Sequence, residues 1–348
     1  MVNIVVGLVP VLVFLAVLIL MDSFKLVALR SVLVALLAGC VAALACSFIN
    51  GWILEASAVS TAAFSRYVAP PTEELVKSLY VAYLILRKRV GFLVDAAIQG
   101  FAVGAGFALV ENVHYLLNLE SAGPFLWVVR GFGTAIVHGS TTAIFATISK
   151  GLADRHPESR LRVLVPGGAA AIAAHSFFNH FVLNPLLATT LLLVVLPLLM
   201  IVVFERSQQA THAWLSAGLA DDAELLDTIL SGEVGQTRAG AYLHSLKTRF
   251  PGTMVADMLC LIRTHLELSL HGKGILIARE AGVHVPVGED IRVNLEELRY
   301  LEKEIGATGL LAIKPLLKQS SRDLWHFYLL ETSGWATGMR VDSGGDLR

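Results

Sequence analysis

Pro70-Pro71-Thr72-Glu73-Glu74-Leu75-Val76-Lys77 sets two adjacent carboxylates where an apolar helix is expected to begin. The apolar runs on either side decide the class. The chain of 348 residues is 55% hydrophobic and only 16% charged, with a mean hydropathy of +0.67. Soluble domains carry about a quarter charged residues. The long apolar runs up to about residue 204 therefore indicate an all-α, polytopic helical membrane bundle. Two unpaired acids are costly inside such a bundle, so the segments that follow are searched for partners, and they offer Glu111, His138, His175 and Asn179.

Seven spans are expected, at about 3–21, 26–49, 72–86, 93–118, 124–149, 161–183 and 186–204. The start has no basic residue before its apolar run and reads as a retained first span. Lys25, Arg30, Arg87-Lys88-Arg89, the Lys150 to Arg162 loop and Arg206 fall on one side. That predicts a multi-pass protein of the cell membrane, N-terminus outside and C-terminus in the cytoplasm. Residues 51–69 are amphipathic and suit an interfacial or re-entrant helix. The transmembrane core is placed at 1–204, a cytoplasmic helical domain at 205–330 and a disordered tail at 331–348. No basic patch suggests nucleic acid, and Cys40, Cys46 and Cys260 form no disulfide or zinc pattern.

Glu73 and Glu74 have a plain reading as acids in a first helical turn capped by Thr72, with Lys77 as a local ion-pair partner. Depth argues against it. A span from Thr72 to Leu86 is roughly 22 Å long at 1.5 Å per residue. Against a hydrocarbon core of about 30 Å, both acids then lie inside the membrane. Glu111, seven residues from Asn118, and His175, nine from Asn184, lie roughly 10 and 13 Å deep by the same rise. His138 falls near mid-depth. Polar groups from four helices thus meet in one layer, which marks a functional site. His175 and Asn179 share a helical face, as do Arg130, Thr134 and His138. Glu111 and His114 offer an alternative metal pair, and His180 has no assigned role. Gly100, Gly104 and Gly106 allow close helix approach. The chemistry within reach is water activation by a carboxylate, with or without a metal. Imidazole and carboxylate together suit zinc, and histidine or asparagine suits an oxyanion.

In this order, Glu73-Glu74-x-x-Lys77, Phe107-x-x-x-Glu111, His138 and His175-x-x-x-Asn179 resemble the PrsW-type intramembrane proteases, within the wider group of type II CAAX prenyl endopeptidases. The likeness covers residues 65–185. The CAAX group has Glu-Glu-x-x-x-Arg and Phe-x-x-x-His instead, whereas this chain has Lys77 and Glu111, as the PrsW branch does. The resemblance implies peptide hydrolysis of a membrane-anchored protein, such as an anti-sigma factor, near the extracytoplasmic side. Carried over by motif, Glu73 is the general base with Glu74 supporting it. Glu111, His138 and His175 hold the water or a metal, and Asn179 stabilises the oxyanion. Zn2+ is the expected ion, because a carboxylate-rich site repels itself without a cation. The alternatives are a non-catalytic scaffold that binds a partner's span, a CAAX-type prenyl endopeptidase and, last, a transporter. Expected partners are the lipid bilayer, the substrate and a cytoplasmic partner of the C-terminal domain.

Overall fold

The computed structural model describes residues 2–118, 123–159, 161–283, 285, 286, 288–317 and 330. The described chain is 85% helix and has no strand. It divides into two compact units, residues 1–208 and 209–348. Four expectations touch residues outside the described set: the cation-free loop at 119–122, Arg160, most of the Leu324 to Leu330 period, and the tail at 331–348.

The first unit holds α1 (Val2–Met21), α2 (Leu29–Ala56), α3 (Thr61–Ala63), α4 (Ala69–Leu86), α5 (Leu93–Asn118), α6 (Pro124–Val128), α7 (Ala135–Arg155), α8 (Leu164–Asn179) and the start of α9 (Pro185–Leu230). Two π-helical turns, Phe64–Val68 and Val129–Thr134, join α3 to α4 and α6 to α7. Helix α5 lies at the centre, buried continuously from Val94 to Ala108, and packs mainly on α7 and α2. Its glycines explain the closeness. A Cβ on Gly104 would lie 2.0 Å from the His138 carbonyl oxygen on α7, and one on Gly106 would lie 1.9 Å from the Leu36 oxygen on α2. No side chain fits either place, so backbones touch and the residues flanking these glycines are brought together.

By length and composition α1, α2, α5 and α9 can cross a membrane. The helices that fall short are informative. Helix α4 carries Glu73, Glu74 and Lys77, α7 carries Lys150, Asp154 and Arg155, and α8 has only 16 residues. Polar cargo lowers the hydropathy of α4 and α7, and α8 is short.

Two local expectations are corrected. Residues 51–69 are not one interfacial helix: α2 continues to Ala56, and the segment from Thr61 leads into α4. Ser60 caps this new start by accepting from the Ala63 N–H at 3.3 Å. The helical run includes Pro70-Pro71, because the preceding π turn lets the chain stay helical through both prolines. Thr72 accordingly is no cap; its one hydroxyl hydrogen has three acceptors within reach, Asn50 Oδ1 at 2.7 Å and the Ala69 and Val68 carbonyls at 2.9 and 3.2 Å. The helix that holds the expected seventh span, α9, continues to Leu230.

The second unit contains the distal part of α9, a 3-10 turn at Glu233–Gln236, α10 (Arg238–Leu246), α11 (Gly252–Glu280) and α12 (Glu289–Ile313). Helix α12 breaks at Gly306, whose φ of +69 suits glycine. Met258, Leu261, Leu268, Leu298 and Ile313 form its core. Lys273 is buried there against Asp222 at 2.6 Å.

Candidate active site

Five helices supply the polar layer: α2 through Asn50, α4 through Glu73, Glu74 and Lys77, α5 through Glu111, α7 through His138 and Thr141, and α8 through His175. Glu73 lies 13 residues from Leu86, so roughly 20 Å along α4 from the Arg87-Lys88-Arg89 end.

Glu74 is the most enclosed acid, 1% exposed. Its Oε1 accepts from Lys77 Nζ at 2.6 Å, from Thr141 Oγ1 at 2.9 Å, and meets His175 Nδ1 at 2.8 Å. Its buried Oε2 has no hydrogen-bond partner among the described residues. A buried carboxylate needs this many donors to offset its lost hydration. In return it fixes the His175 ring, leaving Nε2 to face Glu73 Oε2 at 3.8 Å.

His138 is held the same way. Glu111 Oε2 lies 2.9 Å from its Nε2, and Lys77 Nζ lies 3.2 Å from its Nδ1. Phe107 lies beneath, with ring centroids 5.0 Å apart. The His138 and His175 rings meet edge to face at 4.8 Å. Arg130 completes the charge balance: NH2 pairs with Glu111 Oε2 at 3.2 Å, Nε donates to Asn112 Oδ1 at 3.0 Å, and the guanidinium stacks on Tyr115 at 3.6 Å. Arg130 thus neutralises an acid.

Lys77 therefore cancels Glu74 and Arg130 cancels Glu111. Among the described residues no lysine or arginine pairs with Glu73, which accepts from Asn50 Nδ2 at 3.1 Å. Glu73, His138 and His175 present ligand atoms all within 4.8 Å of one another. One uncompensated carboxylate beside two imidazoles is a donor set that fits a divalent cation with an open position. Sequence reasoning grouped Glu111 with the two histidines; Glu111 lies 2.9 Å from His138, and Glu73 also lies within 4.8 Å of both rings' ligand atoms.

The structure brings together Glu73, Glu74, Glu111, His138 and His175, but not Asn179. That amide donates to the Ser65 carbonyl at 2.9 Å, and no described contact joins it to the cluster. His114 is exposed beside Asn118, and His180 stands edge-on to Tyr67 at 4.9 Å. Three contributors escaped the sequence reading: Asn50, Thr141 and Asn112. A polar residue inside an apolar run was their only signal, and it says nothing of what each touches.

No curated protein and no solved structure matches the chain. A family model does: residues 23–204, more than half the chain, match the PrsW family of intramembrane metalloproteases. Those residues include every member of the polar layer, and the chain belongs to the PrsW family of intramembrane metalloproteases.

Proposed function

We propose that this protease hydrolyses a peptide bond of a single-span, membrane-anchored protein at the Glu73–Glu111–His138–His175 cluster. The mutual approach of Glu73, His138 and His175 carries the reading. These three would hold the metal, and zinc suits an oxygen and two nitrogens. A metal held there would lower the pKa of a bound water and polarise the scissile carbonyl.

The protein's own groups do the rest. Glu74 orients His175 through Nδ1, on the side away from Glu73, as carboxylates do at histidine metal sites; Glu111 meets His138 at Nε2, and Lys77 holds Nδ1 of the same ring. Glu111 is also the most open of the three acids, its side chain 25% exposed against 12% for Glu73 and 1% for Glu74. A general base must meet water. We therefore assign to Glu111 the proton taken from the attacking water, which it returns to the leaving nitrogen as the C–N bond breaks. The sequence reading gives the proton to Glu73 and the ion to Glu111. Glu73→Gln and Glu111→Gln separate the two assignments. The expected result is metal lost in the first, and metal kept with cleavage lost in the second. The reverse pattern restores the sequence assignment. Full cleavage in both variants rejects the site.

We further propose seven crossings, with Arg87-Lys88-Arg89 at the cytoplasmic face of the cell membrane and the cluster in the outer half. An anti-sigma factor cut near its extracytoplasmic side is the substrate class that agrees with this depth. The second unit is proposed as a cytoplasmic docking or control domain. A truncation to test it should keep Ser207, whose hydroxyl accepts from the Val94 N–H at 3.2 Å. Unchanged activity and control after its removal would exclude that role.

A further inference from the structure

Prolines at 70 and 71 remove two backbone donors from the middle of a helix. In the π turn before them the Ala69 N–H bonds to the Phe64 oxygen, five residues back. The Ser65 carbonyl therefore loses its ordinary partner, residue 69, and its π-register partner is Pro70. The Arg66 carbonyl fares worse, since its two candidate donors are Pro70 and Pro71. The two prolines orphan the Arg66 oxygen, and the π turn together with Pro70 orphans the Ser65 oxygen.

Helix α8 supplies the missing donors. Asn179 Nδ2 donates to the Ser65 oxygen at 2.9 Å, and Ser176 Oγ donates to the Arg66 oxygen at 2.5 Å. These side chains lie one residue and four residues beyond His175, on the helix whose imidazole meets Glu74. His180, one residue further, packs on Tyr67 of the same π turn. Two prolines thus create two acceptors on the helix that carries Glu73 and Glu74. Two side chains of the helix that carries His175 take them up.

We propose that Ser176 and Asn179 are positioning residues: a polar clamp on the proline-orphaned carbonyls that sets the His175 imidazole against Glu73 and Glu74. Asn179 acts through the helix pairing and does not touch the reacting atoms. The inference rests on backbone accounting and stands whichever glutamate takes the proton.

The test is a suppressor cycle. Asn179→Ala, Asn179→Ser and Ser176→Ala are made in the natural sequence and in a Pro70→Ala/Pro71→Ala background, where residues 70 and 71 regain their N–H groups. Two properties are read in detergent: the thermal midpoint, and the visible absorption of Co2+ added as a probe. In the natural sequence each alanine variant should lower the midpoint by about 2–4 °C, the shift of one lost hydrogen bond in a unit of this size, and should alter the Co2+ spectrum. Asn179→Ser, which keeps a donor, should fall between. In the proline-free background the alanine variants should lose less than half as much and leave the spectrum unchanged. Equal losses in both backgrounds, or no loss from Asn179→Ala in the natural sequence, would overturn the clamp. A parent protein with no Co2+ band would count against the metal site only, because the thermal cycle still reads the clamp.

Discussion

Lys77→Met is the sharpest test of how the site is built. Lys77 is fully buried, and its ammonium bridges Glu74 Oε1 at 2.6 Å and His138 Nδ1 at 3.2 Å, with the Phe107 ring 4.9 Å away. Methionine keeps most of the volume and removes the charge. Glu74 then keeps only Thr141 and His175 as donors, in a place with 1% exposure. Breaking a buried pair from one side costs about 3–5 kcal/mol. For a unit of about two hundred residues that is a drop of about 6–20 °C in thermal midpoint. Glu74→Gln added to Lys77→Met removes the stranded charge, so the double variant should recover at least half the loss. The double variant should still be inactive, because glutamine holds His175 less firmly than a carboxylate. Differential scanning fluorimetry in one detergent, with all four corners of the cycle, measures the coupling. A Lys77→Met midpoint within about 2 °C of the parent, or a double variant as unstable as the summed singles, would show that the pair is not what offsets the burial of Glu74.

Two further outcomes follow from packing and charge. Gly104→Ala drives a Cβ to 2.0 Å from the His138 oxygen, where only helix displacement relieves it, and should cost about 3 kcal/mol or more. It should abolish cleavage, whereas Gly168→Ala, with nothing within 4 Å, should be neutral or slightly stabilising in the same melt. Arg130→Met leaves Glu111 without its cation and Asn112 without a donor. With Glu111 a quarter exposed the loss should be about 1–3 kcal/mol, below the fully buried range. Metal content should be retained while cleavage falls; retained cleavage would remove Glu111's ion pair from the mechanism.

Sequence alone determined the class and the cast. Lipid cannot satisfy backbone groups, so long apolar runs could only be helices. Charges at 73, 74, 77 and 111, with imidazoles at 138 and 175, were too costly in such helices to lack partners. Their order along the chain sufficed to suggest the family. Pairing was a different matter, since it depends on which helix faces touch, and glycines at 39, 104 and 106 set those faces without naming their neighbours. Depth and periodicity therefore placed Glu111 with the histidines equally well as Glu73. Only the fold put Arg130 on Glu111 and left Glu73 uncompensated. Asn179 shows the same limit: its spacing from His175 put it on the right face, but the prolines' missing N–H groups lie a hundred residues away. No local pattern reports that these orphaned oxygens and that amide meet, because the meeting is a property of two helices packed side by side.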